Sequence, residues 1–258
     1  IVSRDWSSDV CSSDLILSAT CATMRLFWKQ TPSPGNFGDV LTPKLFDFFG
    51  IKYTYDKTNY NTISIGSIAS KAQYGTTVLG SGIMTARDNL CSTAQWLFVR
   101  GPLTRQQVLN NGGTCPEIYG DPAMLLPLIC APMQKTTDIG IVPHYVDYDY
   151  VIQNYPDYKI INVLNEDPLS VAREISQCRI IISSSLHGII CAHAYGIPAA
   201  WMKFGNKLKG DDVKFQDHYA AMDEKLQLST WDKLHFTSPS FNIDPIVNIF
   251  QNIFISLC

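Results

Sequence analysis

The stretch RIIISSSLHGIICAHAYGIPAA, residues 179–200, predicts a buried strand that runs directly into a buried helix. The run RIIIS is apolar enough for a central strand of a parallel sheet, covered on both faces. The helix is predicted to begin near Leu186 and to end at Gly196, a typical helix terminator. Polar side chains interrupt the apolar run at the junction, and these are Ser183, Ser184, Ser185 and His187.

This junction is a candidate anion-binding site. The N-terminus of a helix offers free backbone N–H groups and the positive end of the helix dipole. The hydroxyls of Ser184 and Ser185 add donors, and His187 can donate or transfer a proton near neutral pH. The alternative is a serine cap followed by a histidine that packs on the sheet.

Short β-rich runs alternate with helical stretches from Met24 onward, which predicts parallel sheets covered by helices. We therefore predict an α/β protein with two Rossmann-like domains that face each other across a cleft. The first domain would span residues 24–133 and the second residues 134–230. The proline-rich passage at 121–137 is the candidate linker, and residues 231–258 form a helical tail that could pack across both domains.

The first residues stand apart from this pattern. DWSSDVCSSDL, residues 5–15, can be read codon by codon as the translation of a common sequencing-library adapter. Acidic residues interrupt it throughout, so it does not have the architecture of a signal peptide. We expect residues 1–23 to be a non-native leader whose deletion leaves the melting temperature unchanged.

Composition excludes several classes of protein. The formal net charge is −3 and the pI is about 5.9, so there is no electrostatic footprint for a nucleic-acid partner. No apolar run approaches the roughly 20 residues of a membrane-spanning helix. The eight cysteines include no C-x-x-C pair, which predicts neither disulfides nor a metal site. We expect a cytoplasmic protein with reduced thiols.

Ligands of open α/β sheets lie beyond the carboxyl ends of the strands. PGNFGD, residues 34–39, follows the first predicted strand, and its glycines allow close approach of the backbone. Asp39 is predicted to cap the following helix, and an ordinary structural cap is the alternative to a functional carboxylate.

Two further candidates end predicted strands. Arg100, in VRGPLT, could meet an anion in the cleft because its planar guanidinium matches a carboxylate or a phosphate. A solvated strand-end arginine is the alternative. His144, in GIVPHY, ends the first strand of the second half and could equally be structural.

NFGD, RGPLT, GDPA, PHY and SSSLHG…AYGIP, in this order and spacing, resemble the polysaccharide pyruvyl transferase family. The similarity is greatest to members that act in bacterial exopolysaccharide assembly, and it runs from Met24 to about Met222. It implies a fold similar to the two-domain, GT-B-like glycosyltransferases. It also implies phosphoenolpyruvate as donor substrate, with no cofactor, and a glycan or lipid-linked oligosaccharide acceptor whose hydroxyl pair becomes a pyruvate ketal. Such an acceptor could bring the protein to the cytoplasmic face of the inner membrane.

The resemblance also assigns roles to residues. Asp39 and His187 would be catalytic, as base and acid in either order. The substrate-binding residues would be Asn36, Gly38, Arg100, His144, Ser184 and Ser185. Many family members carry an arginine just before the Leu-His pair, whereas this chain has Ser185 there, so one binding arginine is missing.

Two other functions stay open at this point. One is a nucleotide-sugar glycosyltransferase of the same architecture, with the diphosphate on the helix terminus of the second domain. The other is a non-catalytic carbohydrate-binding relative, in which Ser185 marks lost activity. The chain has no Walker lysine motif and no G-x-G-x-x-G after a strand, so ATP and NAD are poorly supported.

Overall fold

The computed structural model describes residues 23–205, 207–208 and 210–257. It is an α/β structure with two five-stranded sheets, which confirms the predicted α/β class, whereas the GT-B-like architecture stays a prediction. The predicted leader lies outside the described residues except for Thr23, so that expectation stays a prediction. The division into two domains also stays a prediction.

The first sheet is parallel throughout. Its strands are β1 (Met24–Phe27), β2 (Tyr53–Tyr55), β3 (Thr62–Ile63), β4 (Thr77–Leu79) and β5 (Gln95–Phe98). They lie in the order β2-β1-β3-β4-β5. The helices of this half are α1 (Phe37–Val40), α2 (Thr42–Phe48) and α3 (Pro102–Asn110), and α4 (Leu126–Ile129) follows them. Between β3 and β4 the chain forms a 3₁₀ turn at Ala69–Lys71.

The second sheet is parallel except for its last strand. Its strands are β6 (Thr137–Val142), β7 (Lys159–Ile160), β8 (Cys178–Ser183), β9 (Ala199–Trp201) and β10 (Phe236–Thr237). They lie in the order β10-β9-β8-β6-β7. Its helices are α5 (Tyr148–Asn154), α6 (Pro168–Ser176), α7 (Leu186–Ala194), α8 (Val213–Ala220) and α9 (Asp244–Leu257). Because β8 lies between β6 and β9, the prediction of a central strand is confirmed.

The two sheets repeat one arrangement. In each, the strand that comes first along the chain lies between the second and the third, and the fourth and fifth follow on the side of the third. The strand order therefore reverses between β1 and β3 in the first sheet and between β6 and β8 in the second. Such reversals open a crevice at the carboxyl ends of the strands, where α/β proteins bind their ligands.

The predicted linker is wrong for its first half. Pro122–Leu125 forms a 3₁₀ turn that continues into α4, and these residues are buried. Ala123, Met124 and Leu125 belong to one apolar core that also contains Leu26 of the first sheet and Ile181 of the second. Within the predicted linker, residues 131–134 form the one unbroken exposed run.

The predicted tail helix is confirmed as α9. Its buried Phe250 packs against the rings of Phe46, Phe49 and Phe98, with centroids 5.7, 5.0 and 6.3 Å away. These rings all belong to the first half of the chain, so the aromatic packing of the tail does not span both halves. Among the described helices, none has the length and hydrophobicity to cross a bilayer.

Candidate active site

A cavity of about 210 Å³ lies where the two strand-order reversals meet. The first half of the chain lines it with Lys29, Asn36, Asp39, Ser67, Ile68, Lys71 and Met84. The second half contributes His144, Tyr145, Ser185, Leu186, His187 and Lys214. Five of the predicted site residues therefore share one cavity, and these are Asn36, Asp39, His144, Ser185 and His187.

Helix α1 presents Asp39 to the cavity. The helix begins after Asn36, whose Oδ1 accepts a hydrogen bond from the N–H of Gly38 at 3.3 Å. The predicted cap at Asp39 is therefore wrong, because this residue lies inside the first turn. Burial raises the pKa of the Asp39 carboxyl, and the nearby His187 and Lys29 only partly offset this. A carboxylate with a raised pKa is a stronger base.

His187 lies in the first turn of α7 and is only 6% exposed. Its ring packs directly on Gly38, because a Cβ atom added to that glycine would lie 2.0 Å from the Cγ atom of His187. Gly38 thus makes room for the histidine and does not itself line the cavity. The Nε2 atom of His187 lies 3.7 Å from the Oδ2 atom of Asp121, which belongs to the GDPA motif but was assigned no role from the sequence.

The serines at the start of α7 divide between structure and site. Ser185 lines the cavity and caps the helix, since its Oγ accepts from the N–H of Gly188 at 3.4 Å. The Ser184 hydroxyl donates to Asp147 Oδ2 at 2.8 Å and accepts from the N–H of His144 at 2.9 Å. Ser184 therefore holds the loop after β6 in place and lies behind the cavity, which contradicts a direct substrate contact.

His144 reaches the cavity from the end of β6. Its Nδ1 atom accepts from the N–H of Val146 at 3.4 Å and so caps the turn Tyr145–Asp147. Burial lowers the pKa of His144 to about 4, with a smaller contribution from Lys214 and Lys29. The ring is therefore neutral at pH 7, and its Nε2–H is left as a single donor for a ligand.

Arg100 is fully buried and does not line the cavity. Its Nε donates to Asp217 at 3.1 Å, its Nη1 to the Ser67 hydroxyl at 2.7 Å and its Nη2 to the carbonyl of Ile83 at 2.7 Å. These partners hold all three nitrogens, which contradicts the predicted anion contact. Arg100 reaches the cavity only through Ser67.

Three lysines supply positive charge that the sequence did not assign to the site: Lys29, Lys71 and Lys214. Lys214, on α8, is only 6% exposed, and burial lowers the pKa of its ammonium group to about 8. No carboxylate of the described residues lies within 4 Å of it. Lys29 follows the carboxyl end of β1, and this position could have identified it as a site residue from the sequence.

Comparison with known proteins identifies the family. The sequence profile of the family described as polysaccharide pyruvyl transferase matches residues 27–206. The chain belongs to the polysaccharide pyruvyl transferase family. The resemblance carried by the NFGD, RGPLT, GDPA, PHY and SSSLHG motifs is therefore confirmed. Membership makes the protein a transferase enzyme that acts on polysaccharide.

Two relatives of this pyruvyl transferase come from a virus and from a bacterium. The uncharacterized protein L143 of Acanthamoeba polyphaga mimivirus is 31% identical over 210 residues, which cover 77% of this chain and 73% of L143. The succinoglycan biosynthesis protein ExoV of Rhizobium meliloti is 29% identical over 212 residues. That match covers 74% of this chain and 62% of ExoV.

Ser185 brings a neutral hydroxyl, and no charge, to the start of α7 at the edge of the cavity. The described residues that line the cavity include no arginine, and their positive charge comes from ammonium groups of both halves of the chain, among them the buried Lys214. An ammonium group carries the same charge as a guanidinium but binds an oxyanion as a point charge and not through a planar fork.

Proposed function

We propose that the protein transfers pyruvate from phosphoenolpyruvate to two hydroxyls of one sugar in a polysaccharide or lipid-linked oligosaccharide. The products are a pyruvate ketal and inorganic phosphate. The observation that carries the proposal is the pairing, in one cavity, of a buried carboxylate and a histidine with a cationic surround. With a lipid-linked acceptor, the enzyme would work in the cytoplasm at the inner face of the membrane.

The charge of the cavity suits the proposed donor. Phosphoenolpyruvate carries a carboxylate and a phosphate, and the lining provides ammonium groups from Lys29, Lys71 and Lys214. Helix α7 begins at the cavity, so its first backbone N–H groups and its dipole favour an anion there as well. The neutral His144 adds one hydrogen-bond donor.

The chemistry requires a proton donor and a proton acceptor. In the proposed first step, His187 gives a proton to the methylene carbon, which becomes a methyl group and leaves an oxocarbenium-like centre at the neighbouring carbon. A sugar hydroxyl attacks this centre while Asp39 takes its proton. Phosphate then departs with its bonding electron pair, and the second hydroxyl closes the ketal. Its proton leaves with the phosphate.

The size of the cavity argues against the nucleotide-sugar alternative. At about 210 Å³ it is smaller than the roughly 300–1,000 Å³ typical of sites for drug-sized ligands. A nucleoside diphosphate-sugar is larger than this cavity, whereas phosphoenolpyruvate is smaller than the cavity. The family match also favours pyruvyl transfer over glycosyl transfer. A non-catalytic relative has no need for a buried carboxylate of raised pKa beside a histidine, as at Asp39 and His187.

Ligand-dependent thermal stability tests the choice of donor. A ligand that binds only the folded state stabilises it by about 2.7 kcal/mol at 100 times its dissociation constant. Phosphoenolpyruvate should therefore raise the melting temperature, and nucleoside diphosphate-sugars should not. Inorganic phosphate serves as the control for a simple anion effect. Stabilisation by nucleotide-sugars alone would favour the glycosyltransferase instead.

A further inference from the structure

Two buried polar atoms face each other beside the cavity without bonding to anything. They are Nε2 of His187 and Oδ2 of Asp121, 3.7 Å apart. Both are enclosed, and neither has a hydrogen-bond partner among the described residues. The Asp121 side chain is completely buried, so water cannot freely solvate its charge. An unpaired buried carboxylate oxygen is costly, and such an arrangement calls for a reason.

The two oxygens of Asp121 have different surroundings. Oδ1 accepts a hydrogen bond from the N–H of Ala123 at 3.0 Å and so caps the 3₁₀ turn Pro122–Leu125. Capping needs only this one oxygen. Oδ2 accepts no hydrogen bond and faces Nε2 of His187. Among the described residues, this is the one basic side-chain nitrogen within 4 Å of Oδ2. The capping role therefore accounts for Oδ1 but not for the buried position of Oδ2.

The two ring nitrogens of His187 also differ. Nε2 is enclosed on the Asp121 side, so contact between the ring nitrogens and the cavity is left to Nδ1. Gly38 lies along this part of the ring, where an added Cβ would be 2.1 Å from Nδ1. A side chain at that position would cover the nitrogen, whereas glycine leaves it open. The histidine is thus held with Nε2 toward a buried carboxyl group and Nδ1 toward the cavity.

We propose that Asp121 is a positioning residue that holds a proton on Nε2 of His187 and thereby makes Nδ1 the acid of the reaction. When the ring is doubly protonated, Nε2–H donates to Oδ2 and the facing atoms are both satisfied. The Nδ1–H bond then breaks, its proton forms the new C–H bond of the methyl group, and the neutral ring keeps its Nε2 proton. This acid role rests on the proposed function, whereas the pairing itself does not.

Asp121→Asn is the sharpest variant, because the structure indicates how the amide would orient. Its carbonyl oxygen would keep the bond from the N–H of Ala123, since Asn caps about as well as Asp. Its NH₂ group would then replace Oδ2 and face Nε2 as a donor. We expect the neutral ring to move its proton from Nε2 to Nδ1, and the doubly protonated ring to face a second donor.

Two readouts separate positioning from folding. Nitrogen-15 chemical shifts of the His187 ring should show a protonated Nε2 in the wild type and a protonated Nδ1 in Asp121→Asn, with the signal identified by its loss in His187→Ala. Turnover of phosphoenolpyruvate should fall by about 10- to 100-fold, the usual effect of losing a partner that orients a histidine, while KM for phosphoenolpyruvate stays within about twofold.

Asp167→Asn is a matched control. Asp167 also precedes a proline and caps a helix, α6, with its Oδ1 accepting from the N–H of Leu169 at 3.0 Å, but it is exposed and faces no histidine. This variant should leave both the ring signals and the turnover unchanged. A wild-type His187 with its proton on Nδ1 would overturn the pairing, even if Asp121→Asn fails to fold. A protonated Nε2 in a wild type inactive toward phosphoenolpyruvate would refute the proposed donor and leave the pairing standing.

Discussion

Two buried pairs of ionisable side chains lie at the cavity, Arg100 with Asp217 and His187 with Asp121. Asp217 accepts from Arg100 at 3.1 Å and from the N–H and hydroxyl of Thr104 at 2.9 and 2.6 Å. Both of its oxygens are therefore occupied. The facing atoms of the other pair lie 3.7 Å apart and have no partner among the described residues.

The difference separates architecture from chemistry. The closed pair joins the end of the first sheet to α8, the helix that carries Lys214, and both of its charged groups are held by several hydrogen bonds. The facing atoms of the open pair have no other partner among the described residues, and in the proposed mechanism they hold the proton on Nε2 of His187 while Nδ1 delivers the proton of the reaction. A buried ionisable pair near a cavity is thus not by itself a catalytic group. Whether its polar atoms already have hydrogen-bond partners distinguishes a structural role from a catalytic one.

Breaking the closed pair should have the largest effect. Asp217→Ala leaves the Arg100 guanidinium buried without a counter-charge, which typically costs about 3–5 kcal/mol in the free energy of unfolding. Urea unfolding would measure this loss. Asp138→Ala is the control, because it breaks the exposed pair with Arg179 and should change stability little. If both variants unfold at the same urea concentration, the Arg100–Asp217 pair does not stabilise the fold.

Asp39→Asn should remove turnover while leaving the fold intact. An amide cannot accept the hydroxyl proton, and loss of a general base typically costs about 10²- to 10⁴-fold. Asp39 caps nothing, so the melting temperature should stay close to that of the wild type. Since burial raises the pKa of Asp39 above 3.8, wild-type activity should also fall as acidic pH protonates this group. Asp47→Asn, on α2 and away from the cavity, is the control; equal activities would remove Asp39 from the mechanism.

Lys214→Met tests whether the buried ammonium group replaces the missing arginine. A hydrogen bond to a charged group contributes about 1.5–3 kcal/mol, so KM for phosphoenolpyruvate should rise by about 10- to 100-fold. The stabilisation of the protein by phosphoenolpyruvate should shrink accordingly. Lys225→Met, on a residue that does not line this cavity, should leave KM unchanged. An unaltered KM in Lys214→Met would mean that another group binds the anion.

Ser185→Ala should have the smallest effect. It removes a neutral hydroxyl contact and the cap of α7, each of which contributes about 1 kcal/mol. We expect a slightly lower melting temperature and a turnover reduced by about fivefold. Ser185→Arg restores the common family pattern and should lower KM for phosphoenolpyruvate. A large loss of turnover in Ser185→Ala would assign a chemical role to this hydroxyl.

The sequence predicts those parts of the site that depend on local pattern. The apolar run before Ser183 identifies β8 as a central strand, and the polar residues after it locate His187. The sequence pattern places Asp39 near the start of α1. It does not show that Asn36 is the residue that caps this helix, because capping depends on the backbone geometry of a single turn.

Other parts depend on contacts between distant residues. The partner of Arg100 lies 117 positions further along the chain, and no local pattern indicates it. Helix α8 escapes prediction because it is buried on most sides and mixes apolar residues with Lys214, Asp217 and His218. The role of Asp121 likewise appears only when the core brings it to His187.

The most direct test of the central claim is stoichiometric turnover with lipid-linked oligosaccharide acceptors. Wild-type protein should convert phosphoenolpyruvate so that each phosphate released matches one pyruvate ketal, detected as a mass increase of the acceptor. His187→Ala should be slower by roughly 100-fold or more, the usual cost of losing a positioned acid, while His235→Ala, outside the cavity, should match the wild type. Phosphate release without a ketal, or full activity in His187→Ala, would contradict the assignment of this cavity as the pyruvyl transfer site.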